Sequence, residues 1–168
     1  MDDNALIIER VFDAPKQMVW DAFTKPEIMQ KWWGPGGWSS PDFYMDFREG
    51  GKYHASMEGP MPDGNVIKVW SGGEYIKIIP LEKIVVTDFF SNEDGDKIRP
   101  DKAGMDPNFP DEMEVTFTFE EIESGKTKLI IRYPKPESKA AVEAMIASRM
   151  DEGWSSSLDK LAKMVEKE

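Results

Sequence analysis

Residues 138–168 read SKAAVEAMIASRMDEGWSSSLDKLAKMVEKE, and their apolar members Val142, Ile146, Met150, Trp154, Leu158, Leu161 and Val165 fall at steps of three and four. That spacing predicts one helix with one apolar stripe. At 1.5 Å per residue such a helix runs roughly 40 Å, about the width of a small domain, so it has to lie across something, and a sheet is the expected partner. Ser138 follows Pro134 and Pro136 and suits an N-cap, while Lys160, Lys163 and Lys167 crowd the last turns, where positive charge suits the helix dipole. Gly153 inside the helix costs about 1 kcal/mol against alanine. Two readings explain it: close approach of another backbone, taken first, or a space left open beside Trp154.

The rest of the chain supplies the sheet. Ala5 to Phe12 reads as a strand with Leu6, Ile8 and Phe12 on one face and Ile7 and Val11 on the other. Asp13-Ala14-Pro15 then starts a helix, with Asp13 as cap and Val19, Trp20 and Phe23 as its apolar face. Lys25-Pro26 opens a second short helix carrying Ile28, Met29, Trp32 and Trp33, ended by Gly34-Pro35-Gly36-Gly37. Alternation follows: Phe43, Met45 and Phe47, a turn at Glu49-Gly50-Gly51, then Tyr53, Ala55 and Met57. A strand from Val66 to Ile79 contains Gly72-Gly73, read as a bulge or bend. Lys83–Phe90, Met113–Ile122 and Thr127–Tyr133 are three more strands, the last two joined through Ser124-Gly125. The stretch between Phe90 and Met113 is polar and broken by Gly and Pro, so it reads as a loop. Its Asn92-Glu93-Asp94-Gly95-Asp96 lacks the later bidentate glutamate of a calcium loop and reads as a plain turn. The order β-α-α-β6-α describes an α+β fold, a curved antiparallel sheet of about seven strands wrapped around a long C-terminal helix. An apolar pocket between them is the expected seat of function.

Composition narrows the chemistry. The 168 residues, 40% hydrophobic with six Trp and nine Phe, suffice for one sizeable core, and a single domain over 1–168 is expected. A net charge of -11 argues against nucleic acid and against anionic membrane surfaces. The absence of cysteine and the single His54 remove thiolate catalysis, disulfides and cysteine or multi-histidine metal sites. No cofactor or metal is expected. The start Met1-Asp2-Asp3-Asn4 is acidic, and Leu6-Ile7-Ile8 is too short for a signal or membrane segment, so no membrane insertion and a cytoplasmic location are expected.

Ala14-Pro15 with Val19-Trp20, Lys25-Pro26, Trp32-Trp33-Gly34-Pro35, Asp46-Phe47-Arg48-Glu49-Gly50-Gly51, and Gly153-Trp154 with Leu158 and Leu161 occur in that order along nearly the whole chain. Together they resemble the activator of heat-shock-protein-90 ATPase-like family, within the START or helix-grip (SRPBCC) superfamily. The resemblance implies a single START-like helix-grip domain with an elongated internal cavity. It also implies a range of superfamily roles, from lipid and hormone binding to polyketide cyclase or aromatase activity. The family name comes from a co-chaperone whose eukaryotic form carries an additional N-terminal domain; this sequence opens on the first strand, which ranks a chaperone partner below a small-molecule one.

The first function expected is therefore binding of a small apolar or amphipathic ligand between sheet and terminal helix. Expected ligand-binding residues are Trp33, Arg48, Met57, Tyr75, Phe89, Phe117, Met150, Trp154 and Leu158. Trp33 on its Gly-Pro loop either forms the pocket mouth or plugs the core. Asp46 and Arg48, two apart on one strand face, read first as a structural ion pair; alternatively Arg48 anchors the carboxylate of an apolar acid. His54 alternates with Tyr53 and Ala55 and is expected to face outward. The alternatives are a cyclase- or aromatase-like enzyme, for which Asp46, Arg48, Tyr53, Tyr75 and Asp88 are the ionisable groups on offer, and a chaperone-interacting module with an acidic docking face. No catalytic residue is assigned, and neither Gly37-Trp38-Ser39 nor Gly153-Trp154-Ser155 makes a hydrolase elbow. Exposed tryptophans near Gly34 are a candidate dimer contact, without a signal that fixes the oligomeric state.

Overall fold

The computed structural model of the chain describes residues 6–166. The expected first residue of the opening strand, Ala5, the acidic Met1-Asp2-Asp3-Asn4 and the helix-end Lys167 lie outside the described residues. Strands β1 (Leu6–Phe12), β2 (Phe43–Met45), β3 (Lys52–Pro60), β4 (Val66–Ile79), β5 (Lys83–Ser91), β6 (Met113–Glu123) and β7 (Lys126–Tyr133) form one sheet in the order β1-β7-β6-β5-β4-β3-β2. Every neighbouring pair is antiparallel. The helices are α1 (Lys16–Thr24), α2 (Pro26–Trp32), α3 (Lys139–Ala147) and α4 (Met150–Val165), with a short 3-10 turn at Pro100–Ala103.

Alternation along the central strands puts one face inside. Ile84 and Val86 of β5, Val115, Phe117 and Phe119 of β6, and Leu129, Ile131 and Tyr133 of β7 are all buried, each two residues from the next, as a pleated strand requires. Val19, Trp20 and Phe23 of α1, Met29 and Trp32 of α2, and Leu158, Leu161 and Val165 of α4 are buried with them in one continuous core. The Trp32 indole N–H donates to the Ala22 carbonyl at 2.9 Å, so the largest buried ring also fixes the α1–α2 corner. Asp13 does not cap α1, which begins after Pro15 with no side-chain cap. Its backbone N–H instead donates to the Glu166 carboxylate at 3.0 Å, joining the end of α4 to the corner after β1.

The C-terminal stretch is two helices, not one. Ser138 caps α3 as expected, accepting from the Ala141 N–H at 3.0 Å, but the chain breaks at Ser148–Arg149, where Arg149 has a left-handed backbone with φ 55°. The buried face of α3 is Ala141, Ala144 and Met145, whereas that of α4 is Ser157, Leu158, Leu161, Ala162 and Val165. At 100° per residue these faces point roughly 120° apart on a continuous helix. One straight helix cannot bury both, and the break turns each onto its own support. Ile146, assigned to the single stripe, is consequently 72% exposed.

Gly153 resolves to the second of its two readings: a Cβ built there meets nothing within 4 Å. The irregularity in β4 falls between Tyr75 and Lys77, where the register with β5 shifts, rather than at Gly72-Gly73. Gly73 serves close approach instead, because a Cβ there would collide with the Thr87 carbonyl of β5. The 92–96 segment is a turn in which Asn92 Oδ1 accepts from the Asp94 and Asp96 N–H groups.

Candidate functional site

Between the concave face of the sheet and α4 lies a pocket floored by strand residues and walled by indoles. Tyr53 of β3, Tyr75 of β4, Asp88 of β5 and Tyr133 of β7 reach it from four strands. Each sits on the inward side of its pleat: Asp88 follows Ile84 and Val86 at steps of two, and Tyr133 follows Leu129 and Ile131. Phe117 comes from β6, and Trp154 descends from α4 to lie 5.7 Å from its ring. Trp33, just beyond α2, closes the other side, edge-on to Trp154 at 5.6 Å and to Phe43 at 5.7 Å.

Two hydrogen bonds tie polar groups of the pocket together. Trp154 Nε1 donates to the Tyr133 hydroxyl at 2.9 Å, and the Tyr53 hydroxyl donates to Asp88 Oδ1 at 3.4 Å, with Tyr133 close enough to Asp88 for each to perturb the other's hold on its proton. Burial pushes the Asp88 carboxyl up to about 6, against the pull of the two tyrosine hydroxyls towards the ionised form. Burial together with the neighbouring Asp88 charge holds Tyr53 and Tyr133 well above the ordinary phenol range, and burial alone raises Tyr75. Trp33 Nε1, by contrast, is buried with no hydrogen-bond partner among the described residues.

The loop that carries Trp33 is latched to α4. Ser156 Oγ accepts from the Gly36 N–H at 2.6 Å, and Lys160 Nζ donates to the carbonyls of Trp38 at 3.1 Å and Pro35 at 3.5 Å. Gly34 turns the chain away from α2 with φ 99°, a conformation that favours glycine. The space at the centre of the pocket is about 30 Å³, enough for a water or two and well short of the few hundred Å³ that hold a drug-sized molecule. The aromatic rings fill the rest. The Trp33 loop, which forms one wall, is held to α4 by the Ser156 and Lys160 hydrogen bonds.

Of the residues expected to bind ligand, Trp33, Tyr75, Phe117 and Trp154 meet at this pocket. Arg48 lies outside it, paired with Asp46 at 2.8 Å on the exposed turn after β2, so it holds no ligand carboxylate in the pocket. Phe89 is displaced by strand parity: Asp88 takes the inward side, and Phe89 faces the opposite way under Lys97, 5.4 Å from its ring centroid. Met57 packs beside Gly34, Met150 packs against the core at the start of α4, and Leu158 is core, 1% exposed. His54 stays off the pocket, between Tyr44 at 4.8 Å and Trp70 at 5.7 Å. Tyr133 and the helix residues Phe23 and Met29 were not anticipated as pocket residues; counting two beyond Ile131 finds the first. Among the described residues no group of His, Asp or Glu side chains is arranged to hold a metal ion, and no helix is long and apolar enough to cross a membrane.

Comparison with known proteins agrees with this architecture. A family model described as Activator of Hsp90 ATPase homolog 1-like protein matches residues 13–166. Among solved structures, a protein from Staphylococcus epidermidis is 28% identical, with a TM-score of 0.73 over 98% of this chain and 91% of that one. Protein CV1439 from Chromobacterium violaceum is 26% identical, with a TM-score of 0.71 over 98% of this chain and 99% of that one. Protein Ms6760 from Mycobacterium smegmatis, 23% identical over 99% of this chain and 93% of that one, shares the fold at a TM-score of 0.79. No curated protein matches.

Proposed function

The chain belongs to the Activator of Hsp90 ATPase homolog 1-like family, and from that premise we propose that it binds a small hydrophobic or amphipathic molecule in the pocket between its sheet and α4. The observation that carries this reading is the buried, unpartnered Trp33 indole N–H in the wall of an otherwise aromatic pocket. A buried donor left unpaired costs about 1–3 kcal/mol, which a ligand recovers by bringing an acceptor atom or the face of an aromatic ring to it. Entry requires the Trp33 loop to swing from α4, since the closed pocket holds only about 30 Å³. Native mass spectrometry of freshly purified protein, followed by denaturing extraction, tests the reading. A copurified small molecule, or binding to a panel of apolar probes that is abolished by filling the pocket with Val115→Trp, supports it. A protein that takes up none of them counts against it.

A second reading has one specific observation behind it. Asp88, raised to about 6 by burial and hydrogen-bonded to Tyr53, is poised near neutrality, as a general acid or base has to be. A cyclase- or aromatase-like reaction would use it to move a proton on a bound substrate. Turnover of any pocket ligand that survives Asp88→Asn would remove this reading and leave binding in place.

A further inference from the structure

Asp88 is the one acidic or basic side chain among the residues lining the pocket, the rest being aliphatic, aromatic, indole or phenol. Its hydrogen-bond partner is the neutral Tyr53 hydroxyl, and among the described residues no lysine or arginine forms an ion pair with it. A carboxylate withdrawn from water normally has a cation beside it, because desolvation is otherwise uncompensated. Around this one stand the electron-rich rings of Tyr53, Tyr75, Tyr133, Trp33 and Trp154. Rings of this kind attract a cation over their faces, more strongly once water is excluded.

We propose that the pocket ligand is an organic amine with a small apolar body, its ammonium group pairing with the Asp88 carboxylate and its body lying among the Trp33, Tyr53 and Trp154 rings. This rests on the reading of the pocket as a ligand site and names the chemical class of that ligand. A carboxylic acid would set two negative charges together in a poorly solvated space, and the arginine that would have received it is on the surface. A neutral ligand would bury Asp88 further and leave its charge unmatched. The net charge of -11 also favours approach of cations from solution.

The groups facing Asp88 give the pH dependence. From β3, β4 and β7 they are Tyr53, Tyr75 and Tyr133, all neutral well above pH 7. From α2 and its following turn, β2, β6 and α4 they are Met29, Trp33, Phe43, Val115, Phe117 and Trp154, none of which titrates. Asp88 alone therefore changes charge in the accessible range, and amine binding strengthens as pH rises through about 6.

Isothermal titration of the full chain with benzylammonium and with benzyl alcohol, matched in shape and differing in charge, tests the assignment. At about pH 7.5 benzylammonium is expected to bind roughly tenfold more tightly than the alcohol, the gap shrinking to about threefold or less in Asp88→Asn and in the unaltered protein near pH 5. Equal affinity for both in the unaltered protein would overturn the amine assignment while leaving the pocket a ligand site. A preference that stays near tenfold in Asp88→Asn would place the ammonium elsewhere and overturn it as well. Failure of both compounds to bind would remove the pocket reading and the amine with it.

Discussion

The Trp154 indole donates to the Tyr133 hydroxyl at 2.9 Å, and Tyr133 stands beside the half-buried Asp88 carboxyl, whose charge helps to hold the phenol proton. One hydrogen bond thus joins α4 to β7 and sets the wall of the pocket. Replacing Trp154 with Phe keeps a ring but removes the donor and some volume, and is expected to cost about 1–2 kcal/mol in urea unfolding. Unchanged stability would mean that the bond contributes nothing beyond contact.

Asp88 makes the protein less stable as pH rises. Its carboxyl is raised from 3.8 to about 6 in the folded state, so between those values the folded chain holds a proton that the unfolded chain has released. Stability associated with that proton is full below about pH 4 and is lost as pH passes through about 6. The stability of Asp88→Asn relative to the unaltered protein should therefore grow from pH 4 to pH 7, by about 3 kcal/mol if the whole shift is realised. Parallel stability-against-pH profiles for the two proteins across that range would refute the raised, unpaired Asp88 carboxylate.

Gly153 lies inside α4 with open space where a Cβ would be. Gly153→Ala should raise stability by about 0.5–1 kcal/mol through helix propensity alone. A thermal melt that falls instead would show that the space beside the helix is needed.

Arg149 holds a left-handed backbone, which costs a non-glycine residue roughly 1 kcal/mol. Among the described residues its side chain makes only an exposed pair with Glu152 at 3.1 Å, worth a few tenths of a kcal/mol. Arg149→Gly is accordingly expected to leave stability unchanged or raise it slightly, whereas Arg149→Val should lower it by more than 1 kcal/mol. Denaturant midpoints for the pair separate the two.

Leu158 and Arg48 distinguish core from pocket. Leu158→Ala is expected to cost about 2–5 kcal/mol, as for other fully buried leucines. Arg48→Met should change stability by less than about 0.5 kcal/mol and leave binding of pocket ligands unaltered, because its ion pair is exposed. Loss of ligand affinity in Arg48→Met would return that residue to the site.

The strands were legible because alternation and turn residues agree: Phe43, Met45, Tyr53 and Ala55 pair across β2 and β3 as the hairpin spacing implies. The helix break was not, since Ser148-Arg149 carries neither glycine nor proline and apolar residues continue at steps of three and four across it. Only the positions of Ala141, Ala144 and Met145 against Leu158 and Leu161 reveal two faces. At the pocket the same difficulty is one of parity. Phe89 is larger and more apolar than Asp88, so hydrophobicity points inward at the wrong residue, although Ile84 and Val86 already fix the side on which Asp88 must lie. A polar residue on an interior face disguises the pattern that locates it.

The claim that a ligand enters between the sheet and α4 is tested most directly by the indole N–H resonances of the tryptophans, followed by NMR during titration with benzylammonium and, separately, benzyl alcohol. Trp33 and Trp154 line the pocket, Trp32 is sealed in the core, and Trp70 lies tilted against His54 away from it. The account expects saturable shifts at Trp33 and Trp154 with Trp70 unmoved. Shifts confined to Trp70, or none at all, would contradict it.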